Sequence, residues 1–456
     1  MSKTAQSNYQ IRWKNYRRFE DTDWITLTPL TVLVGVNNGG KSSILSPLLL
    51  LAQTLASHDS DAPLVPVGPL IDLGNYRDFI HIHETHRDLF FGLRIRSYKS
   101  KAELKPVGSY APGGIELTFA EGEQPQQVRL KRFEVTDVYN RHYFHRDSQG
   151  GEYVLGGAIS IDGMKPIEKE AILESSPQHF LFTPNEVLYE IDKKAFKDRE
   201  IKGDSFSKEF SHYLKASGFS YSLVRNVFDN ISYIGPLRAK LKRFYRVSAE
   251  MPETVGSQGE HAANLFRRKV KDLKPKIDSW VKAFEFGEEL KYKELTDDLF
   301  QLLFIANQEE TNIADAGFGA SQVLPLIIQA VAAPQDSFTL AEQPEIHLNP
   351  RLQCVLADLF VDMAASGHRV LVETHSEHLI VRLRRLVAEG TIRAEDVSLY
   401  FVEKNAGKSE IRKIPIESNG SIPAEAWPSG FFDDSLREAL ALATAQAKNT
   451  SKKRRV

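Results

Sequence analysis

A glycine-rich segment near the N-terminal end constrains this chain more than any other feature. Residues 35–42 match G-x-x-x-x-G-K-[ST], the pattern of a loop whose backbone N–H groups surround a phosphate. The apolar residues 30–34 before it predict a buried strand, and the apolar residues 43–53 after it predict a buried helix. A strand, a glycine loop and a helix N-terminus in this order predict a nucleoside triphosphate site.

Each residue type in this loop has an expected task. Lys41 is expected to reach the β- and γ-phosphates, and the Ser42 hydroxyl to hold Mg²⁺. The other residues expected to bind phosphate are Gly35, Asn37, Asn38, Gly39, Gly40 and Ser43.

Length and composition limit the class of protein. The 456 residues are enough for about two or three domains, and a hydrophobic fraction of 42% supports a core. The formal net charge of −2 gives no global attraction to nucleic acid, so any such surface must be local. Cys354 is the one cysteine, which excludes an internal disulfide and fits a reducing compartment. A secretory signal pattern and a membrane-length apolar run are absent from the sequence, so we expect a soluble cytoplasmic protein without a membrane partner.

Changes of pattern along the chain predict its organisation. Residues 1–90 carry the loop and form the first half of the nucleotide-binding domain, whereas residues 91–165 alternate with period two, which predicts a β-rich lobe. Residues 166–305 are mostly helical in pattern, and residues 306–400 return to α/β signals. Residues 401–456 form a small C-terminal region whose basic tail is either a solvated end or an arm for nucleic acid or an acidic partner.

The α/β segment carries features of the second half of a phosphoryl-transfer site. Residues 337–341 predict a strand that ends at Glu342, and a carboxylate in this position can hold Mg²⁺. A later predicted strand runs into a segment with His375, which can reach a γ-phosphate. Between them, Asn349 suits the N-cap of a helix and Pro350 its first position.

A second glycine-rich loop precedes these strands. Gly317, Gly319 and Ser321 open an apolar helix that extends to about Ala332, with Ser321 as the expected N-cap. The chemistry of this helix start suits a phosphate. The chain thus has two anion-attracting helix starts, at Ser42 and Ser321, and in one architecture the second faces the nucleotide of a neighbouring molecule.

The order of these motifs resembles the head of ABC-type ATPases and, more narrowly, the SMC-like and OLD-like bacterial ATPases. Four stretches resemble a prokaryotic group that ends in a small domain of unknown function: residues 233–238, 256–260, 372–378 and 427–433. The resemblance implies an α/β fold, a P-loop ABC-type ATPase head with a β-rich lobe and a helical insertion. It runs through most of the chain and is weakest between about residues 95 and 225.

The resemblance also implies ATP as the nucleotide, Mg²⁺ as the metal, and roles for the motif residues. Phosphate and Mg²⁺ would be bound by Gly35, Asn38, Gly40, Lys41 and Ser42. Glu342 would be the Walker B carboxylate and a Mg²⁺ ligand, His375 the switch histidine, and the turn at Asn349 the D-loop. Such heads close as a two-fold pair around two ATP molecules, so the signature residues Gly317, Gly319 and Ser321 would act on the nucleotide of the second copy. Arg17 or Tyr16 would stack on the base.

One position departs from the family pattern. In most ABC heads a glutamate follows the Walker B acid and orients or deprotonates the attacking water, but here that residue is Gln343. A glutamine can hold a water and cannot take its proton, so Glu345 or Glu373 would have to supply a carboxylate. We predict slow ATP hydrolysis and a long-lived ATP-closed homodimer suited to a switch. The predicted catalytic residues are Lys41, Glu342, Gln343 and His375.

The resemblance implies a separate effector as well. No nuclease motif is visible, and the roughly 80 residues after His375 are too few for the Toprim nuclease that OLD-type relatives carry there. Stand-alone relatives are similar to the ATPase subunits of anti-phage systems such as Septu and PARIS, which act with a separate nuclease or toxin. We therefore expect a switch that controls such a partner in antiviral defence. Two alternatives stay open: a repair ATPase that acts directly on DNA ends, and a non-hydrolysing ATP-dependent scaffold.

Two further clusters have competing interpretations. His81, His83 and His86 lie within six residues. If this segment is a strand, His81 and His83 share a face and could bind a metal as a pair. We favour the other interpretation, in which these histidines pack beside the nucleotide loop. Residues 238–271 combine nine arginines and lysines with Phe244 and Tyr245. This basic stretch is either a groove for nucleic acid or a partner, or a solvated helix face.

Overall fold

The computed structural model describes residues 8–96, 112–124, 127–149, 152–159, 161–198, 206–249, 252–405 and 408–427, together with Leu442. The helices are α1 (Ser42–Leu55), α2 (Tyr76–Phe79), α3 (Pro166–Glu174), α4 (Pro184–Asp198), α5 (Lys208–Phe228), α6 (Ala262–Ala283), α7 (Phe318–Ala332), α8 (Pro350–Ala365) and α9 (Glu377–Ala388). Within these described ranges, no helix has both the length and the apolar character needed to cross a membrane.

The strands belong to three sheets, and with the helices they confirm the predicted α/β fold. In chain order they are β1 (Asn8–Tyr16), β2 (Phe19–Asp21), β3 (Ile25–Leu27), β4 (Leu30–Gly35), β5 (Leu89–Arg96), β6 (Pro112–Glu121), β7 (Val128–Asp137), β8 (His142–Gln149), β9 (Glu152–Gly157), β10 (Ile231–Ile234), β11 (Tyr245–Arg246), β12 (Glu289–Glu294), β13 (Leu299–Ala306), β14 (Glu309–Asn312), β15 (Phe338–Glu342), β16 (Arg369–Glu373), β17 (Val397–Asn405) and β18 (Lys408–Ile414).

The central sheet positions the site. Its strand order is β10-β15-β16-β4-β17-β18, and all neighbours are parallel except β17 and β18. The glycine loop connects β4 to α1, so the strand–loop–helix prediction is confirmed. Because β16 lies between β4 and β15, Glu373 pairs in register with Glu342 on one side and with Leu33 on the other. The carboxyl ends of these strands therefore meet beside the glycine loop.

Both faces of the central sheet are covered. Along β4, Leu33 packs into a core shared with α1, α5 and the antiparallel lobe, whereas Val32 and Val34 pack against α6 to α9. A parallel sheet buried on both faces explains why β4 is an uninterrupted apolar run. The start of α8 also follows prediction, because Asn349 caps it by accepting the Leu352 N–H at 3.0 Å and Pro350 is its first residue.

The β-rich lobe includes strands from the N-terminal end of the chain. Its antiparallel sheet has the order β2-β1-β5-β6-β7-β8-β9, with β3 also paired to β1. Trp13 of β1 stacks on Phe91 of β5 with ring centroids 5.4 Å apart, and both rings are buried in the shared core. The lobe and the loop-bearing domain are therefore joined through β1.

The segment predicted as mostly helical, residues 166–305, contains α3 to α6 but also strands. Strand β10 joins the central sheet, β11 pairs with β13, and β12 and β13 close the segment as an antiparallel pair. The apolar residues Phe300, Leu302 and Phe304 of β13 are buried in the core that includes α6. The exposed Lys291 and Lys293 of β12 pair with Glu310 on β14.

Candidate functional site

The glycine loop has a backbone that only glycine adopts at two positions. Gly35 has φ +143°, and a Cβ there would lie 2.0 Å from the Val402 carbonyl oxygen; Gly40 has φ +105°. The Ser409 hydroxyl, which is buried, donates to the Gly39 carbonyl at 2.7 Å. Strands β17 and β18 therefore fix the loop from behind, and the two glycines allow the close approach.

Lys41 and Ser42 stand where the sequence analysis places phosphate and metal chemistry. The Lys41 ammonium donates to the carbonyls of Gly35 at 3.1 Å and Val36 at 2.9 Å. Burial lowers the pKa of Lys41, although nearby Glu373 raises it. The Ser42 hydroxyl donates to Glu373 Oε2 at 2.8 Å. The loop thus holds one cation and one hydroxyl against a carboxylate of β16.

Three glutamates gather at the strand ends: Glu345 and Glu373 are buried, and Glu342 is half-buried. Burial, with repulsion from Glu373, raises the pKa of Glu342 to about 7, although Glu342 Oε1 accepts the Tyr233 hydroxyl at 3.0 Å. Burial also raises the pKa of Glu373, opposed by the Ser42 hydrogen bond and by the Lys41 charge. Carboxylates that are desolvated and lie close together favour a nearby cation, because its positive charge offsets their mutual repulsion and the cost of their burial.

This donor set fits Mg²⁺ bound together with phosphate. Among the described residues, no group of three or more His, Cys, Asp or Glu side chains is arranged as a complete metal site. Mg²⁺ usually takes one or two carboxylates and completes its shell with waters and substrate phosphates. Ser42 and Glu342, with Glu373 hydrogen-bonded to Ser42, would supply the protein part.

Glu345 and His375 form a second layer of this cluster. Glu345 Oε1 accepts the His375 backbone N–H at 2.6 Å, while its buried Oε2 has no hydrogen-bond partner within the described part of the chain. Burial lowers the pKa of the His375 imidazole, and the Lys41 charge lowers it further. Gln343 has a left-handed backbone, φ 43°, and donates its N–H to the Glu373 carbonyl at 2.7 Å. The structure thus brings the four predicted catalytic residues to one sheet edge.

An open cleft of about 580 Å³ lies beside the loop, within the usual range for small-ligand sites. Residues 38–43 and Glu373 line one part of it, and Arg17, Arg18 and residues 80–83 line another. The prediction that Tyr16 could stack on the base is wrong, because its ring is fully buried and its hydroxyl is hydrogen-bonded to Ser46 Oγ at 2.7 Å. Arg17 lines the cleft and stays a candidate.

The histidine cluster belongs to this cleft. His81 Nδ1 is 2.7 Å from the Arg17 carbonyl and His83 Nδ1 is 2.8 Å from the Arg77 carbonyl. Both lie in a short turn with left-handed backbone at Ile82 and His83, not on a strand. The geometry therefore favours packing beside the nucleotide loop over a metal pair.

The second glycine loop lies elsewhere on the surface. Helix α7 begins at Phe318 with Gly317 as its N-cap, so the prediction that Ser321 is the cap is wrong. Ser321 lies in the first turn, where its hydroxyl donates to the Phe318 carbonyl at 2.7 Å. Gly317 has an extended backbone, and the helix therefore starts four residues earlier than an N-cap at Ser321 would place it. No residue of this loop lines the described cleft around Lys41.

Arg238 is a site residue that the sequence analysis placed in the basic stretch. It is only 7% exposed and donates to the Glu342 carbonyl at 2.9 Å and to Gln322 Oε1 of α7 at 3.2 Å. Burial lowers its pKa to about 10. Arg238 therefore links the end of β15 to α7. The sequence feature that could have identified Arg238 is the Gly–Pro turn between it and strand β10.

We expect Glu342→Gln to stabilise the protein, without nucleotide or Mg²⁺, by roughly 1–3 kcal/mol at about pH 8. The Glu342 pKa rises from its ordinary 4.5 to about 7 in the fold. The folded state thus holds the proton more tightly, and it loses stability as pH rises from 4.5 to 7. Urea unfolding near pH 5 and pH 8 measures the effect.

The exposed Glu288 supplies the control for this experiment. Glu288→Gln is expected to change the free energy of unfolding by less than about 0.5 kcal/mol at either pH. A Glu342→Gln protein that is no more stable than wild type at the higher pH would contradict the description of this carboxylate as buried and repelled.

No curated protein matches the chain. Similar solved structures include a SmcHead bound to the C-winged helix domain of ScpA, with 12% identity over 90% of this chain and 97% of that chain and a TM-score of 0.40. The SMC head domain from Thermotoga maritima has 11% identity, coverage of 90% and 99%, and a TM-score of 0.36. This likeness is too slight to support an argument about function.

Two family matches cover different parts of the chain. Residues 392–442 match a protein family of unknown function, DUF3696. Residues 167–380 match the family described as AAA ATPase domain. This segment contains α7, Glu342 and His375, whereas the G-x-x-x-x-G-K-[ST] loop lies before it. This match covers less than half of the chain, and together with the loop between β4 and α1 it supports ATPase activity.

Proposed function

We propose that this protein is a slowly hydrolysing ATPase that works as a two-fold pair and switches a separate nuclease or toxin in antiviral defence. The observation that carries the ATPase part is the Ser42–Glu373 hydrogen bond, 2.8 Å, next to Lys41 and Glu342. It joins the glycine loop to the acidic strand ends, as a site for ATP and Mg²⁺ requires.

Each group in the site has a proposed task. Backbone N–H groups of residues 38–43 and the Lys41 ammonium bind phosphate oxygens, and Ser42 and Glu342 hold the cation. Bound Mg²⁺ supplies positive charge that offsets the charge of the phosphates. Gln343 orients a water, and His375, kept neutral by its lowered pKa, can accept or donate a hydrogen bond at the γ-phosphate.

The pairing of two copies is supported by the placement of the signature loop. In one chain the start of α7 does not line the described cleft. Phe318 is 56% exposed at this helix start, and a Cβ on Gly317 would meet nothing within 4 Å. An open, anion-attracting helix start suits the nucleotide of a second copy, which makes the interface isologous. Gly317, Gly319 and Ser321 are the residues proposed to act there.

The effector and its setting rest on the resemblance of the ordered motifs to stand-alone ATPase subunits, which is analogy. A cytoplasmic nuclease or toxin encoded beside this chain is the proposed partner. The test is co-purification of the neighbouring gene product with the tagged ATPase, with and without ATP. Co-purification that depends on ATP supports a switch, and a neighbour without nuclease or toxin activity contradicts this part of the proposal.

We expect Gln343→Glu to raise steady-state ATP hydrolysis by about 10- to 100-fold, because a carboxylate can take the proton of the attacking water. Phosphate release by the purified protein measures it. The matched control is Gln258→Glu, which places the same change on an exposed residue and is expected to leave the rate within about twofold. Fast wild-type turnover that Gln343→Glu leaves unchanged would contradict the slow-switch mechanism.

A second candidate function is a non-hydrolysing ATP-dependent scaffold. The presence of Gln343 in place of an acid favours it. In that case the wild type binds ATP and pairs without measurable phosphate release. The hydrolysis assay therefore separates an enzyme from a scaffold.

A further inference from the structure

The structure divides the cations of residues 238–271 into those that are buried or paired and those that are exposed without an acidic partner in the described part of the chain. Arg238 is buried, Arg243 pairs with Asp315, Arg267 pairs with Glu294 at 3.2 Å, and the Lys269 ammonium donates to the Ala332 carbonyl at 3.0 Å. Five exposed cations have no acidic partner among the described residues: Lys240, Lys242, Arg246, Arg268 and Lys271.

Three of these cations belong to β11 and to one face of the adjacent helix α6, and we call them the basic strip (Arg246, Arg268 and Lys271). The Asn264 amide donates to the Arg246 carbonyl at 3.2 Å and accepts the Ser248 N–H at 3.1 Å, so the end of β11 lies against the first turn of α6. Positions 264, 268 and 271 share one helix face because of their i, i+4, i+7 spacing. They extend the strip by about 10 Å along α6.

An exposed aromatic ring stands beside the basic strip. Phe244 is 57% exposed, and its neighbours on both sides are fixed. Arg243 is held by Asp315, and Tyr245 stacks on Phe300 at 5.8 Å while its hydroxyl accepts the Lys242 N–H at 2.9 Å. The Phe244 ring is therefore displayed from a firmly held turn.

Two of the nearby acids are already paired, Glu294 with Arg267 and Asp315 with Arg243. Another exposed acid, Asp272 next to Lys271, offsets only part of the charge of the five exposed cations. A chain with a formal net charge of −2 thus carries a local positive field. Lys240, another of the five exposed cations, lies beside the start of α7, with its ammonium 5.9 Å from the centre of the Phe318 ring.

We propose that the basic strip and Phe244 bind single-stranded nucleic acid. Cations along a line contact successive phosphates, and a displayed aromatic ring stacks on an unpaired base, which is the combination that sequence-tolerant single-strand sites use. A duplex offers no unstacked base to the Phe244 ring, and an acidic polypeptide offers no base at all. This proposal stands independently of the role proposed for ATP.

The test is fluorescence anisotropy of a labelled oligothymidylate of about 20 nucleotides, titrated with the purified full chain at about 50 to 200 mM salt. The variant Arg268→Glu/Lys271→Glu is expected to bind at least about tenfold more weakly and to lower the salt slope by about 1.4, that is 0.7 for each lost phosphate contact. Phe244→Ala is expected to weaken binding about tenfold with the slope unchanged.

The matched control is Lys208→Glu/Lys215→Glu, which reverses two exposed charges on α5 and is expected to bind like wild type. Equal melting temperatures of all variants show that they fold. The proposal is overturned if wild type does not bind the oligonucleotide at the lowest salt, or if the α6 and α5 double variants bind alike. It is also overturned if polyglutamate binds as tightly as the oligonucleotide and Phe244→Ala has no effect, which would identify an acidic protein as the ligand.

Discussion

Replacing Lys41 with alanine is expected to lower ATP hydrolysis by about 100- to 1,000-fold, the usual effect of removing a preorganised charge at a phosphoryl-transfer site. The ammonium is held inside the loop by the Gly35 and Val36 carbonyls, at 3.1 and 2.9 Å. Its charge is already largely desolvated, because Lys41 is only 4% exposed, so little water has to be removed from it when phosphate binds.

Folding and activity can be separated in this experiment. Since burial disfavours the charged form of Lys41, its removal is not expected to unfold the protein, which circular dichroism and thermal melting check. The control is Lys408→Ala, which removes an exposed lysine that pairs with Glu20 and is expected to leave the rate within about twofold. A Lys41→Ala protein that retains more than about a tenth of the wild-type rate contradicts the assignment of the loop.

Gly35→Ala is expected to destabilise the protein by roughly 2–5 kcal/mol and to abolish nucleotide binding. The added Cβ would lie 2.0 Å from the Val402 carbonyl oxygen, and the backbone φ of +143° is strained for alanine. Strand β17 must therefore move away from the loop, or the loop must leave its place over α1. Urea unfolding and ATP binding by fluorescence measure the two effects.

The matched control for Gly35→Ala is Gly218→Ala, in the interior of α5. There the added Cβ would meet only Pro184 Cγ at 3.6 Å, an ordinary contact, and the φ is not left-handed. Alanine in place of an interior helical glycine is expected to stabilise by up to about 1 kcal/mol. Equal destabilisation by both substitutions would contradict the close approach of Gly35 to β17.

Local patterns were sufficient for the parts of the site that are contiguous in sequence. The order of strand β4, glycine loop and helix α1, and the helix start at Asn349 and Pro350, follow from short-range rules of backbone chemistry. These rules concern neighbours a few residues apart. They therefore predict elements and helix ends better than they predict which elements meet.

Contacts between distant residues were not predictable in the same way. The Ser42–Glu373 hydrogen bond joins residues 331 positions apart, and it exists because β16 lies between β4 and β15. An arginine in a basic stretch is usually exposed, but the fold buries Arg238 between β15 and α7. The prediction that Tyr16 could stack on the base failed for a related reason, because the burial of its ring depends on the lobe packed over β1. Only the three-dimensional arrangement gives such information.

The most direct test of the account is the ATPase rate of a mixed dimer. One chain carries Lys41→Ala and the other carries Gly317→Glu, a change with open space around it in a single chain that brings a negative charge to the start of α7. Dimers with both chains are isolated through two different affinity tags. Each variant alone is expected to be inactive, and the mixed dimer is expected to recover about half of the wild-type rate, because one of its two composite sites has both an intact loop and an intact signature. A mixed dimer as inactive as its parents, or chains that never pair in the presence of ATP, would contradict it.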